Sequence, residues 1–296
     1  MNRETLLARL GDGKGLPALP EVLLRLDREL SDPEVDLRRI AELAGTDAVL
    51  AGQIIRMANS AYYSRGSTSL TSLGTALQRL GIRAVRGLVF ALTLPRSFQA
   101  GSNFPTRALW RHSLAVAALA SSLCDELSLG ASRKEEAWMG GLIHDIGALA
   151  LATLAPQDYQ KLLDRLTENA SEGSEAEIVE IEREVFGIDH AEFGAIFLRE
   201  NWHLPEPMPS VAEHHHDLAG MDLPNVGLGS TIHVVHIANG ICSGFGAGWN
   251  RGCPPGKAFR NSAWDSLGLS LERVEDLVGR AMSSLDLAET LLAGGQ

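Results

Sequence analysis

The run Ile143-His144-Asp145-Ile146-Gly147 places an imidazole beside a carboxylate inside an apolar stretch. Such a pair serves two chemistries. It donates neutral nitrogen and anionic oxygen to a divalent transition metal, or it forms charge-assisted hydrogen bonds that tie helices together. Adjacent residues on one helix point about 100° apart, so one ion can engage both only if other helices close the cage. The chain offers donors for that: His112, His190, one or two of His214-His215-His216, and a residue near His236 or Asn239. Imidazole with carboxylate suits Zn, Fe, Mn, Ni or Co, and the residue types do not choose among them. His190 is expected in the first turn of its helix, where the dipole favours the neutral, metal-binding ring. Each residue also has a plain structural reading. His112 fits a hydrogen-bonded core histidine, His214–His216 before Asp217 fit a solvated helix end, and a metal-free Asp145 fits a buried carboxylate neutralised by protonated imidazoles. Only convergence of these side chains from different helices separates the readings.

The elements that must position them are helical almost throughout. Leu23, Leu26, Asp27 and Leu30 open an amphipathic stripe that Ser31-Asp32-Pro33 breaks. Asp36 and Asp47 are predicted N-caps of two short helices, with Gly45 as a left-handed stop between them. Ser72 is predicted to cap a helix ended by Gly81, and Ile82–Leu94 begins another. GSNFPT at Gly101–Thr106 is the first composition break, and a domain boundary is placed there, between 103 and 104. A long helix at about Thr106–Leu129 puts His112 on its apolar face with Leu109, Val116 and Leu119. Glu135–Leu154 is predicted as helix broken near Gly147, followed by Asp158–Leu166, a linker at Asn169–Ser174, and a helix from Glu175 that Gly187 stops. Asp189 with Glu192 reads as a capping box. Later helices are expected to hold Glu213–Asp217, Gly227–Ser243 and Ser262 to about Leu292, with Phe245–Lys257 as a loop.

Composition bounds the rest. Thirty-seven acidic against 26 Lys and Arg residues in 296 give a formal charge of −11, which argues against a dedicated nucleic-acid or anionic-membrane binder. Arg79, Arg83 and Arg86 around Gly81 imitate a helix-turn-helix, but they are a thin electrostatic footprint. No continuous apolar run approaches the roughly 18 residues of a membrane span. Cys124, Cys242 and Cys253 have no metal or disulfide spacing, so the reducing cytoplasm is the expected location. The glycines around Phe245-Gly246-Ala247-Gly248 follow no strand and read as a surface loop, with Trp249 and Trp264 expected to fold back on the bundle.

The chain resembles the HDOD family, the HD-related output domains of bacterial signalling proteins. The resemblance rests on six ordered motifs: Leu16-Pro17-Ala18-Leu19-Pro20-Glu21-Val22, Ala58-Asn59-Ser60-Ala61-Tyr62-Tyr63, Trp110-Arg111-His112-Ser113, Gly141–Gly147, Asp189-His190-Ala191-Glu192-Phe193-Gly194 and His215-His216-Asp217. It implies an all-α fold, with an N-terminal helical lobe (1–103) packed on an HD-like helical bundle (104–296). It implies a metal set of His112, His144, Asp145, His190, His215, His216 and Asn239, holding a divalent transition metal (Fe, Mn, Zn or Ni). It also implies a regulatory signal-transduction output, working through a signalling protein partner, with a metal or a nucleotide as the candidate ligand of the old cleft. The alternative is a metal-dependent phosphohydrolase acting on a nucleotide or cyclic dinucleotide, with Asp145 as the catalytic residue. Departures from HD-type enzymes weigh against that alternative. Asn239 stands where they carry the last aspartate, Ala108 where HD-GYP relatives carry a glutamate, Ala148 where they carry a lysine, and no Gly-Tyr-Pro follows His215-His216.

Overall fold

The computed structural model describes residues 1–13, 15–21, 25, 29, 36–64, 68–168, 175–218, 228–244, 248–249 and isolated positions between 273 and 283. The regular structure of the described residues is helical, without strands, and the fold is all-α. The expected stripe Leu23–Leu30, the linker Asn169–Ser174, Lys14, Cys253, Trp264 and the side chains of Arg83 and Arg86 lie outside the described residues. So do most of the loop Phe245–Lys257 and most of the last helices.

The chain divides into two units, one formed by residues 1–18 with 98–285 and the other, by its described residues, lying within 19–97. This division departs from a boundary at 103. Helix α1 (Arg3–Gly11), which the sequence pattern does not reveal, joins the larger unit: Leu6 and Leu10 are buried and Arg9 donates to the Leu154 carbonyl at 2.9 Å. The GSNFPT break also belongs there, because Phe104 packs against the rings of Tyr159 and Trp249.

The smaller unit holds α2 (Leu37–Gly45), α3 (Ala48–Ala58), α4 (Ala61–Ser64) and α5 (Leu73–Ser97). Asp36 and Asp47 cap α2 and α3, accepting from the N–H groups of Arg38 and of Val49 and Leu50. Gly45 is not a left-handed stop. The helix ends on right-handed Thr46, whose hydroxyl donates to the Leu43 carbonyl, so no positive φ is needed. Gly81 does break α5, at φ 77° and ψ 157°. Asn59 clamps the Leu70 backbone with two 2.8 Å bonds. Arg79 spends its guanidinium on the carbonyls of Ala58 and Thr68, which thins further the arginine footprint of the apparent helix-turn-helix.

The larger unit continues with α6 (Thr106–Glu126), α7 (Ala131–Ile143), α8 (Ile146–Leu154), α9 (Pro156–Glu168), α10 (Glu175–Phe186), α11 (His190–Glu200), α12 (Met208–His214) and α13 (Leu228–Cys242). Helix α6 lies along α7 and α13, and α11 lies along α8 and α12. Val116, Leu119 and Leu123 of α6 meet Ala137, Val211, Val235 and Ile241 in one core. A Cβ on Gly141 would sit 2.7 Å from the Ala117 Cα, so the α6–α7 crossing depends on that glycine. Cys124 is a core residue, its thiol pushed up to about 12 by burial. The stretch Ala131–Leu154 is apolar and long enough to pass for a membrane span, yet 83% of its most apolar 18-residue window is buried within the protein. It is a core element, broken in the middle.

Two boundaries near the site follow, one as expected and one corrected. The helix stops at His144-Asp145, close to Gly147 as expected: Asp145 has φ −94° and ψ 11° and starts α8. Helix α12 ends at His214, so it does not carry Glu213–Asp217 as one helical run.

Candidate metal centre at Asp145

Asp145 occupies the N-cap of α8, where a carboxylate ordinarily accepts from the helix's free N–H groups. Here it makes no side-chain cap bond. Its two oxygens turn instead to four imidazoles from four places in the bundle. His112 of α6 and His144 bring Nε2 to 3.5 and 3.1 Å from Oδ2. His190, the first residue of α11, and His215, just past α12, bring Nε2 to 3.4 and 3.2 Å from Oδ1. His216 joins through His190, Nε2 to Nε2 at 2.8 Å. The structure therefore brings His112, His144, Asp145, His190, His215 and His216 together, in two overlapping groups of potential ligands that share Asp145. Asn239 is buried on α13, and its described hydrogen bond is to the Ser243 hydroxyl one turn on, at 3.5 Å, rather than to the imidazoles. His236 supports the cluster from behind, with Nδ1 on the His215 carbonyl.

Hydrogen bonding fixes which nitrogen each ring presents. His144 and His215 donate their Nδ1–H to the carbonyls of Gly141 and Ala212, both at 2.8 Å. In the neutral ring that leaves a lone pair on Nε2, and both Nε2 atoms face the Asp145 carboxylate, that of His144 also lying 3.2 Å from the His112 Nε2, which can give it a proton. Lone pairs aimed at an anion repel unless a proton or a cation lies between them. The Nε2 of His215 is fully buried and has no hydrogen-bond partner among the described residues; Asp145 Oδ1 is near but off the line of a hydrogen bond. Donor spacings of 2.8–3.5 Å match what metal bonds of about 2.0–2.2 Å impose on neighbouring ligands. The donor set fits a divalent transition metal.

Electrostatics split the groups. Burial pushes the Asp145 carboxyl up, but the adjacent His144 and hydrogen bonds from the His144, His190 and His215 rings reverse this and hold it well below the usual carboxylate range. Burial likewise pulls His190 down, and the Glu182 carboxylate outweighs it, raising the ring well above the ordinary histidine value. Burial and the facing His216 hold His215 well below that value, so it stays a neutral donor.

Two residues at the site carry no motif signal. Glu182 is buried on α10 and accepts from the backbone N–H and the ring Nδ1–H of His190. It sits on the face shared by Ile178, Ile181 and Phe186, and a charge inside an apolar stripe is the one local sign of it. Trp249 donates Nε1–H to Asp145 Oδ2 at 2.6 Å from 104 residues away, which bears out the expectation that it folds back on the bundle. A hydrogen bond to a buried charge contributes about 1.5–3 kcal/mol. Trp249→Phe is expected to lose that much, measured as a lower urea midpoint at unchanged slope; an unshifted midpoint would show the bond to be idle.

A profile of the HDOD domain matches residues 16–218. An uncharacterized protein of Treponema pallidum (strain Nichols) is 26% identical over 207 residues, 69% of this chain, and the chain spans 38% of that relative's length. Among solved structures, an HDOD domain protein of unknown function from Geobacter sulfurreducens superposes with a TM-score of 0.79 at 23% identity over 98% of both chains. A provisionally named metal-dependent phosphohydrolase from Shewanella amazonensis SB2B superposes with a TM-score of 0.68 at 22% identity over 96% of both chains. These likenesses establish the fold, and the ordered motifs, the helical bundle and the family profile agree: the chain belongs to the HDOD family.

Proposed function

We propose that this chain is a regulatory output domain of bacterial signalling, in which the Asp145 cluster holds a divalent transition metal and does little hydrolysis. The observation that carries the metal is the buried Nε2 of His215, held against the Asp145 carboxylate by the Nδ1 bond to the Ala212 carbonyl and without a hydrogen-bond partner among the described residues. The holding residues are His112, His144, Asp145, His190, His215 and His216, and a bound metal would supply Lewis acidity and a fixed positive charge. The donors do not choose among Fe, Mn, Zn and Ni.

Three features support regulation over catalysis. Asp145 and its four imidazoles are all buried, with Trp249 against one carboxylate oxygen. Among the described contacts of Asp145 there is no lysine or arginine to take up charge on a phosphoryl group. Asn239 brings no carboxylate. In this reading the bound ion, or a nucleotide in the cleft, shifts which conformation a signalling protein partner meets in the cytoplasm.

Chain purified without a histidine tag is expected to contain near-stoichiometric transition metal by elemental analysis. Clean apo protein that takes up none of Fe, Mn, Zn or Ni would end the metal reading. One observation keeps a metal-dependent phosphohydrolase in view: two donor groups share Asp145, one at each oxygen, as in two-metal hydrolytic sites. Phosphodiester assays with several metals are expected to give no turnover; turnover abolished by Asp145→Ala would move the function to hydrolysis of a nucleotide or cyclic dinucleotide.

A further inference from the structure

Glu182 takes no part in the cluster's contacts with Asp145, yet it is 0% exposed. Burying a carboxylate is costly unless it is bonded. Its described bonds go to one residue: Oε2 accepts the His190 backbone N–H at 2.8 Å and the His190 Nδ1–H at 2.6 Å, and Oε1 has no partner among the described residues. The first bond satisfies a free N–H at the start of α11. The second fixes the plane of the ring.

His190 lies between two acceptors. Glu182 faces Nδ1 at 2.6 Å and Asp145 faces Nε2 at 3.4 Å. To bind a metal the ring must be neutral, and a neutral ring has one proton to give. On Nε2, that proton points at Asp145 and leaves no lone pair in the cluster. On Nδ1, it leaves Nε2 free toward Asp145 and His216. At His144 and His215 a neutral carbonyl makes this choice; His190 alone among the three is given a charged acceptor. A carboxylate behind a ligating imidazole also makes the ring a stronger donor.

We infer that Glu182 is a positioning residue: it keeps the His190 proton on Nδ1 and aims Nε2 into the cluster. This rests on the reading of the cluster as a metal site. The test uses the full chain, stripped of metal, as wild type, Glu182→Gln and Glu182→Met. Zn²⁺ affinity by calorimetry is expected to fall about 10-fold in the glutamine variant, which keeps an acceptor without charge, and about 100-fold in the methionine variant. Nitrogen-15 histidine spectra at pH 8 supply a metal-free readout, with Nδ1 protonated in wild type and unprotonated in Glu182→Met. Wild-type affinity in the variants overturns the inference while leaving the metal reading intact. If wild type binds no Zn²⁺, the metal reading falls and the spectra decide: a proton that stays on Nδ1 without Glu182 overturns the positioning role, and one that leaves upholds it. Should Glu182→Met fail to fold, Glu182→Gln decides by affinity, and an unchanged value overturns the inference.

Discussion

Asp145→Ala is expected to abolish metal retention and to cost about 3–5 kcal/mol of stability, the range for removing one partner of a buried charged pair. The physical reason is that Asp145 is the one anion common to both donor groups. Without it, His112 and His144 face each other at 3.2 Å with no carboxylate to share, and His190 keeps a proton favoured by Glu182 while losing half of its counter-charge. Asp145→Asn separates the two roles. The amide fills the same volume, so it should retain more of the fold, but its –NH₂ cannot ligate and its oxygen is uncharged, so metal content should still collapse. Urea unfolding with elemental analysis on both variants checks this. Full metal content in Asp145→Asn would place the ion elsewhere, and wild-type stability in Asp145→Ala would mean that the carboxylate does not organise the rings.

The parts of this site that are legible in the sequence are those set by local rules. His112 lies on the apolar stripe of α6, and it is buried. Asp189 accepts from the Glu192 N–H at the start of α11, as the capping pattern requires, which fixes where His190 begins the helix. The return half of that box is not among the described bonds, because Glu192 pairs with Arg3 instead, and α1 has no pattern strong enough to announce itself. What is not legible depends on packing. Nothing within a helical turn of Glu182 or Trp249 says that they meet His190 and Asp145. The break near Gly147 is legible but its exact place at His144-Asp145 is not, because glycine is the usual breaker. In the structure that glycine stays helical, and its missing side chain is what admits α11.

Gly147→Ala is therefore expected to be among the most damaging single-methyl changes in the chain. A Cβ there would lie 2.0 Å from the His190 carbonyl oxygen, 2.7 Å from the Gly194 nitrogen and 2.8 Å from the Gly194 Cα. All three are backbone atoms, so no rotamer change relieves the clash. Helices α8 and α11 must move apart, and α11 begins with His190, so the cluster opens with the interface. Overpacking against side chains typically costs about 1–3 kcal/mol; backbone against backbone should exceed about 4 kcal/mol and remove the bound metal. Gly52→Ala is the control. Gly52 lies inside α3 with nothing within 4 Å of its would-be Cβ, so alanine should gain the helix propensity, about 0.5–1 kcal/mol. Opposite signs for the same substitution would show that space between helices, rather than backbone freedom, decides the outcome at Gly147. A Gly147→Ala protein that melts within about 1 kcal/mol of wild type would mean that α8 and α11 are not in contact in solution, and the His190 side of the metal centre would lose its support.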